Sequence, residues 1–253
     1  MSLSFSDRLL IGLAPAAVSL VRVSGVLRPR IGEARIAACD PALGAQPWQG
    51  AVAALSEMKL PAGKATVVLS NHFVRYALVP WSDALSGEEE ESAYVRHHFA
   101  RIHGERARGW AMRAAEGPAG APRLASAIDA QLLAAIKQLF SRGTKARLVS
   151  VQPYLMAVFN RWRGSIPSGG AWLVLIEADR ACALLHDGRR WQSVHNARGS
   201  WLALIERERH RASAAVPELV LAHADRPVED VPGWQLRRLP VPEPRYAAAL
   251  AAA

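Results

Sequence analysis

The chain has 253 residues, 51% of them hydrophobic, and its 31 Lys and Arg against 22 Asp and Glu give a formal charge of +9. That composition supplies a core for one large domain or two lobes and excludes a disordered chain. Two cysteines, Cys39 and Cys182, stand outside any CxxC or Cys/His cluster, which argues against a disulfide framework or a zinc site and for two small buried hydrophobes. No apolar run reaches about 18 residues, so no membrane span is expected. Asp7 and Arg8 precede an apolar run that Pro15 ends early, so no secretory leader is expected either and the reading is cytoplasmic.

From the start, residues 9–13 read as a buried strand, broken by Ala14-Pro15-Ala16-Ala17. Val18, Leu20, Val21 and Val23 make a second strand. A turn over 25–29 leads to a third over 31–39, giving a meander on which a layered domain can be built. A Pro/Gly loop over 40–50 precedes a helix over 47–58 with Trp48, Val52 and Leu55 on one face. Residues 65–70 are a buried-type strand. After the Asn71-His72 turn, 73–79 returns as its partner with Val74, Tyr76 and Leu78 on one side, and Pro80-Trp81-Ser82 closes the pair.

A long helix is expected over 86–103, capped by Ser86, with Glu88 to Glu91 complementing its positive start and Tyr94, Val95, His98, Phe99 and Ile102 inward. Consecutive glutamates point in different directions, so this run is a solvated helix start rather than a metal site; His97, His98 and His103 make no metal-ligand spacing. Two short strands, 109–115 and 123–128, flank a Gly/Pro turn. A helix over 129–142 stopped by Gly143, a strand over 146–151 and a helix over 154–162 follow. The Gly/Ser/Pro segment 164–170 is a candidate hinge.

Residues 171–196 repeat the opening plan: AWLVLIE, RACALLH, a turn at Asp187-Gly188, then RRWQSVHN. A helix over 199–211 with Trp201, Leu204 and Ile205 inward, a strand over 217–222, a loop with two prolines, a last strand over 234–239 and an alanine-rich helix over 242–253 complete the chain.

The local wording carries a resemblance. VVLSNHFVRYALVPW (67–81) resembles a strand pair of PilM and GspL proteins, the cytoplasmic actin-like components of type IV pilus and type II secretion assembly platforms. IGLAPAAVSLVRV resembles their first phosphate-loop hairpin, LLHDGRRWQSVHNAR the hairpin of their second lobe, and RYAAALAAA the terminal helix of PilM- and MshI-type proteins. The implied fold is α/β: actin-like (ASKHA, ribonuclease H-like) duplicated lobes with mixed β-sheets flanked by helices. The implied lobes are 1–164, with a small subdomain inserted at about 65–128, and 165–253.

The departures from that pattern bear on chemistry. A first phosphate loop needs an acid to position metal-bound water and a glycine that lets backbone amides reach phosphate. Here Gly12 stands at the acid and Ala14 at the glycine. The second loop, Glu177-Ala178-Asp179-Arg180, lacks its glycine and is shorter; the adenine-side Gly-Gly is replaced by His223-Ala224-Asp225. Glu177 and Asp179 are turn residues before they are a carboxylate pair. No GxSxG or P-loop occurs. No catalytic residue, metal or cofactor is therefore expected, with ATP the residual alternative ligand.

The expected function is a non-catalytic scaffold, peripheral to the inner membrane, that holds the cytoplasmic tail of a bitopic assembly protein. The candidate groove walls are the strand pair 67–81 and the helix from Ser86, with Arg75, Tyr76 and Trp81 facing the partner. A homodimer stays open. The alternatives are a nucleotide-binding actin-like ATPase or switch and, on charge alone, a nucleic-acid-binding protein; the arginines are scattered rather than gathered into a patch, so no nucleic-acid partner is expected.

Overall fold

The computed structural model describes residues 7–25, 30–85, 87–141, 144–211 and 216–253. In chain order the first elements are β1 (Arg8–Leu13), β2 (Ala17–Ser24), β3 (Arg30–Ala38), α1 (Gln49–Glu57), β4 (Gly63–Leu69) and β5 (Val74–Val79). Next come α2 (Glu88–His103), β6 (Trp110–Ala114), β7 (Arg123–Asp129), α3 (Ala130–Ser141), β8 (Ala146–Pro153) and α4 (Tyr154–Trp162). The rest are β9 (Ala171–Ile176), β10 (Arg180–His186), β11 (Trp191–Arg198), α5 (Trp201–Arg211), β12 (Leu219–Ala224), β13 (Gln235–Arg238) and α6 (Ala247–Leu250). The expected Ser86 cap, the Gly143 stop and most of the 25–29 turn lie outside the described residues.

Contacts divide the chain into two compact units: Met1–Phe73 with Ala130–Arg161 and Val241–Ala253, and Val74–Asp129 with Trp162–Pro240. These cuts differ from the two consecutive lobes drawn from sequence. The inserted segment groups with the second meander, and the terminal helix packs on the first sheet.

The first unit holds a five-stranded sheet in the order β3-β2-β1-β4-β8. β1 pairs antiparallel with β2 and parallel with β4; β4 pairs parallel with β8. The central strand is apolar on both faces, as a strand covered on both sides must be. One face, through Leu10, Val21 and Val23, packs against Ala249 and Leu250 of α6. Arg161 of α4 holds α6 from its end, its Nη1 donating to the carbonyls of Leu250 (3.4 Å) and Ala253 (2.8 Å) at the helix C-terminus.

The second unit contains a sheet with the same plan, β11-β10-β9-β12-β13. β9 is antiparallel to β10 and parallel to β12, and β12 is parallel to β13, so the hairpin-then-parallel arrangement occurs twice in one chain. Its core is built on Trp172, Val174, Ala183, Ile205 and Val220. Cys182 sits on β10 fully buried, its thiol pushed well above the ordinary range by desolvation, and behaves as a small hydrophobe. Cys39, half-buried, is likewise pushed up by burial.

A three-stranded sheet, β5-β7-β6, belongs to the second unit, with α2 across it. This corrects the expected pairing of 65–70 with 73–79. β4 is already flanked by β1 and β8, so it has no edge to offer, and β5 pairs antiparallel with β7 instead. The face toward α2 is also different: Ala77 and Val79 pack with Val95 and Phe99, while Tyr76 and Leu78 lie on the opposite face, half-buried. On α2, Ile102 is 56% exposed rather than inward. His103, one turn after Phe99, takes that place, its ring stacked at 6.0 Å on Phe99 and edge-on at 5.0 Å to Trp110.

The segment 164–170 is not a bare hinge. Residues Arg163–Ser165 form a 3-10 turn, and Gly170 (φ +84°) lies so close to the His186 carbonyl that a Cβ there would come within 2.5 Å of it. The terminal helix is shorter than expected, a 3-10 turn over Pro244–Tyr246 leading into α6.

Candidate functional site

The loops at the phosphate positions are closed on themselves. Gly12 lies in β1 opposite Ser19. A Cβ on it would approach Ser19 Oγ to 2.6 Å and the Ala249 nitrogen of α6 to 3.0 Å. The glycine is there so that α6 can lie on the strand, and an aspartate has no room. The Ala14 N–H donates to the Ala17 carbonyl (3.1 Å), so the amide a phosphate would use is engaged within the turn.

In the second unit, Glu177 N–H donates to the Arg180 carbonyl (2.8 Å), which makes Ala178-Asp179 a two-residue hairpin. Arg226 closes over it, donating to the carbonyls of Glu177 and Ala178, both at 3.1 Å. Asp179 pairs with Arg198 at 3.3 Å. Behind Arg226, burial pushes the Asp225 carboxyl above its ordinary range. Among the described residues no group of three or more His, Cys, Asp or Glu side chains could hold a metal ion, and no helix is long and apolar enough to cross a membrane.

An open feature of the second unit is a groove of about 440 Å³ at the start of α2. Its floor is apolar: Val79 of β5, Val95 of α2, and Met112 and Ala114 of β6. One wall is the stripe Glu88, Glu91, Ser92 and Val95, spaced to share a face of α2. Another is Trp81 and Leu85, just past β5, and the third is the run from Met112 to Glu116. The Trp81 indole N–H donates to Asp83, and the Arg123 guanidinium lies 5.0 Å from the Trp81 ring centroid. Arg123 also forms a two-pronged pair with Glu91, at 2.6 and 2.9 Å. Trp81, β7 and α2 are thereby clasped at one side of the groove.

That clasp is acid-sensitive. The hydrogen bond from Arg123, more than its charge, holds the Glu91 carboxyl below the usual carboxylate range. A depressed folded-state value means the contribution is full above the unfolded value near about 4.3 and lost as pH falls through the folded one. Acidification is expected to shift the Arg123 side-chain NMR resonance in one step, and Glu91→Gln to remove that step. A wild-type resonance that stays still through the carboxylate range would refute the clasp.

The three residues expected to face a partner are not gathered at this groove. Trp81 lines it. Arg75 and Tyr76 are neighbours on β5 and so lie on opposite faces of that sheet. Arg75 is near Arg180 and His103; desolvation first and Arg180 second lower its pKa, and desolvation first and Arg75 second lower that of His103. The strand is anchored by Asn196 of β11, whose Nδ2 donates to the Val74 carbonyl (3.0 Å) while its Oδ1 accepts from Arg180 (3.1 Å). Sequence reading missed Arg123, Met112, Arg113 and Glu116. Glu91 and Arg123 are 32 positions apart, and the only local signal was the Gly/Pro turn that returns the chain to β7.

The duplicated sheet order, with a small sheet and helix inserted after β4, defines an actin-like fold. Within that class it is the form found in GspL- and PilM-type proteins. The cytoplasmic domain of EpsL, an inner-membrane component of the type II secretion system of Vibrio cholerae, is similar over 98% of this chain and 94% of its own, with a TM-score of 0.68 at 12% identity. The PilM–PilN type IV pilus biogenesis complex matches over 82% of this chain and 66% of that chain, with a TM-score of 0.56 at 18% identity. A Bacteroides thetaiotaomicron protein with an actin-like ATPase fold and unknown function matches over 88% and 86%, with a TM-score of 0.59 at 9% identity. No protein-family model and no curated protein sequence matches the chain.

Proposed function

We propose that this chain is a non-catalytic actin-like scaffold of an inner-membrane assembly platform, of the type II secretion or type IV pilus kind, that binds the cytoplasmic segment of a membrane partner. The observation that carries the reading is the covered Gly12: the position where an actin-like ATPase needs an acid is packed against Ser19 and the backbone of α6. The engaged Ala14 amide and the Arg226-capped hairpin at Glu177 point the same way. A fold that keeps its sheets and loses its phosphate grip retains surfaces for protein recognition. The likeness to the EpsL cytoplasmic domain and to the PilM–PilN complex supports this kind of assembly.

The experiment is a pair of calorimetric titrations of the full chain. One uses Mg-ATP. The other uses synthetic cytoplasmic segments of the bitopic membrane proteins encoded beside this gene. The expected result is no heat from Mg-ATP and saturable binding of one segment. Saturable Mg-ATP binding with turnover, or no binding of any segment, would overturn the reading.

A further inference from the structure

The groove beside α2 opens next to a strand with one unused edge. Among the described residues β6 pairs with β7 alone. Ala115 N–H donates to the Leu124 carbonyl (2.8 Å), which fixes that position as a hydrogen-bonded pair of the antiparallel ladder. Such pairs alternate, so Arg113 and Ala111 also turn their backbone groups toward β7. The amides and carbonyls of Met112 and Ala114 therefore point outward from the free edge. Their side chains pack toward α2 and form the groove floor. An extended segment laid along β6 would meet main-chain donors and acceptors and an apolar floor together.

The charge of the groove selects the occupant. The chain as a whole is +9. The groove instead carries Glu88, Glu91 and Glu116 against Arg123, while Arg113, between Met112 and Ala114 on β6, turns its side chain to the other face of the sheet. Glu91 and Arg123 neutralise each other, leaving the carboxylates of Glu88 and Glu116, and Asp83, Glu89 and Glu90 lie exposed beside them. An acidic site on a basic protein disfavours anionic partners there and favours a cationic one.

Resting on the scaffold reading above, we propose that the groove takes a basic peptide punctuated by apolar residues as an added strand on β6, and that this peptide is the cytoplasmic segment of the membrane partner. Segments flanking a membrane span on the cytoplasmic side are enriched in Lys and Arg, which is the chemistry the acidic rim accepts. Main-chain hydrogen bonds to the edge supply affinity, and alternate side chains drop onto the floor or reach the glutamates.

The test uses the full chain and fluorescence anisotropy with two labelled synthetic probes, an extended peptide alternating Leu with Lys and its counterpart alternating Leu with Glu. The Lys peptide should bind at least about tenfold more tightly than the Glu peptide. Ala114→Pro removes only an outward N–H, on an edge where proline is tolerated, and should weaken the Lys peptide by about tenfold or more with the melting temperature unchanged. The double variant Glu88→Lys/Glu116→Lys leaves the edge intact and should reverse the preference between peptides. Equal affinity of the two peptides, or wild-type binding by both variants, would overturn the proposal. A native segment that binds the wild type and both variants equally would sink the groove and leave the scaffold reading standing. Absence of any native segment would sink the scaffold while the synthetic peptides still judged the groove.

Discussion

Gly12→Asp is expected to lower the stability of the first unit by about 3 kcal/mol or more and to confer no nucleotide binding. The substitution supplies the acid that the actin-like pattern calls for, so it separates a missing side chain from a missing site. The new Cβ meets Ser19 Oγ at 2.6 Å and the Ala249 nitrogen at 3.0 Å, and neither the strand nor α6 can retreat without uncovering Leu10, Val21 and Val23. The carboxylate beyond it would be buried in the seam between β1 and α6, which adds a desolvation penalty to the overlap. Gly12→Ala carries the overlap without the charge and should cost about 1–3 kcal/mol. Urea unfolding measures both. A Gly12→Asp protein as stable as wild type that takes up Mg-ATP would show that α6 does not close this position.

Phe99→Ala is expected to cost about 3–5 kcal/mol in the second unit and to abolish peptide binding at the α2 groove. Phe99 is fully buried between α2 and the three-stranded sheet, in one cluster with Ala77, Val79, Ala125 and Ala127. Its ring meets Trp110 edge-on at 6.3 Å and stacks on His103. The neighbours on the sheet are mostly alanines, too small to fill the space the ring leaves, so the helix would lose the contact that sets its height above β6. Binding should therefore fall further than the surface variants make it fall. Unfolding together with peptide anisotropy checks this, and full binding in a protein of undiminished stability would refute it.

The two meanders were legible in sequence because each strand is an apolar run of the right length closed by Gly, Pro or Asp, and because the second copy repeats the first in the same order. Partnering was less legible. β4 and β5 are adjacent in sequence and both β-rich, so a hairpin was the local expectation; that β4 is claimed on both edges by β1 and β8 is a tertiary fact with no local trace. That position 12 carries no acid could be read from the sequence alone. The reason for it could not, since Ala249 arrives from 237 positions away. The groove followed the same rule. Trp81 and α2 were named as walls from sequence, whereas Arg123, Met112 and Glu116 enter only through the pairing of β6 with β7. Arg75 and Tyr76, adjacent on one strand, lie on opposite faces of the sheet, which period-two geometry already implies.

The placement of α6 also bears on how the molecule is made. The first unit is assembled from three stretches of chain, and its last layer is supplied by residues 241–253. During vectorial synthesis the ribosome must therefore deliver the chain as far as Ala249 and Leu250 before the face of β1 that bears Leu10 is sheltered. The unit begun first is completed last, and until then its half-built sheet is a surface for a chaperone to guard.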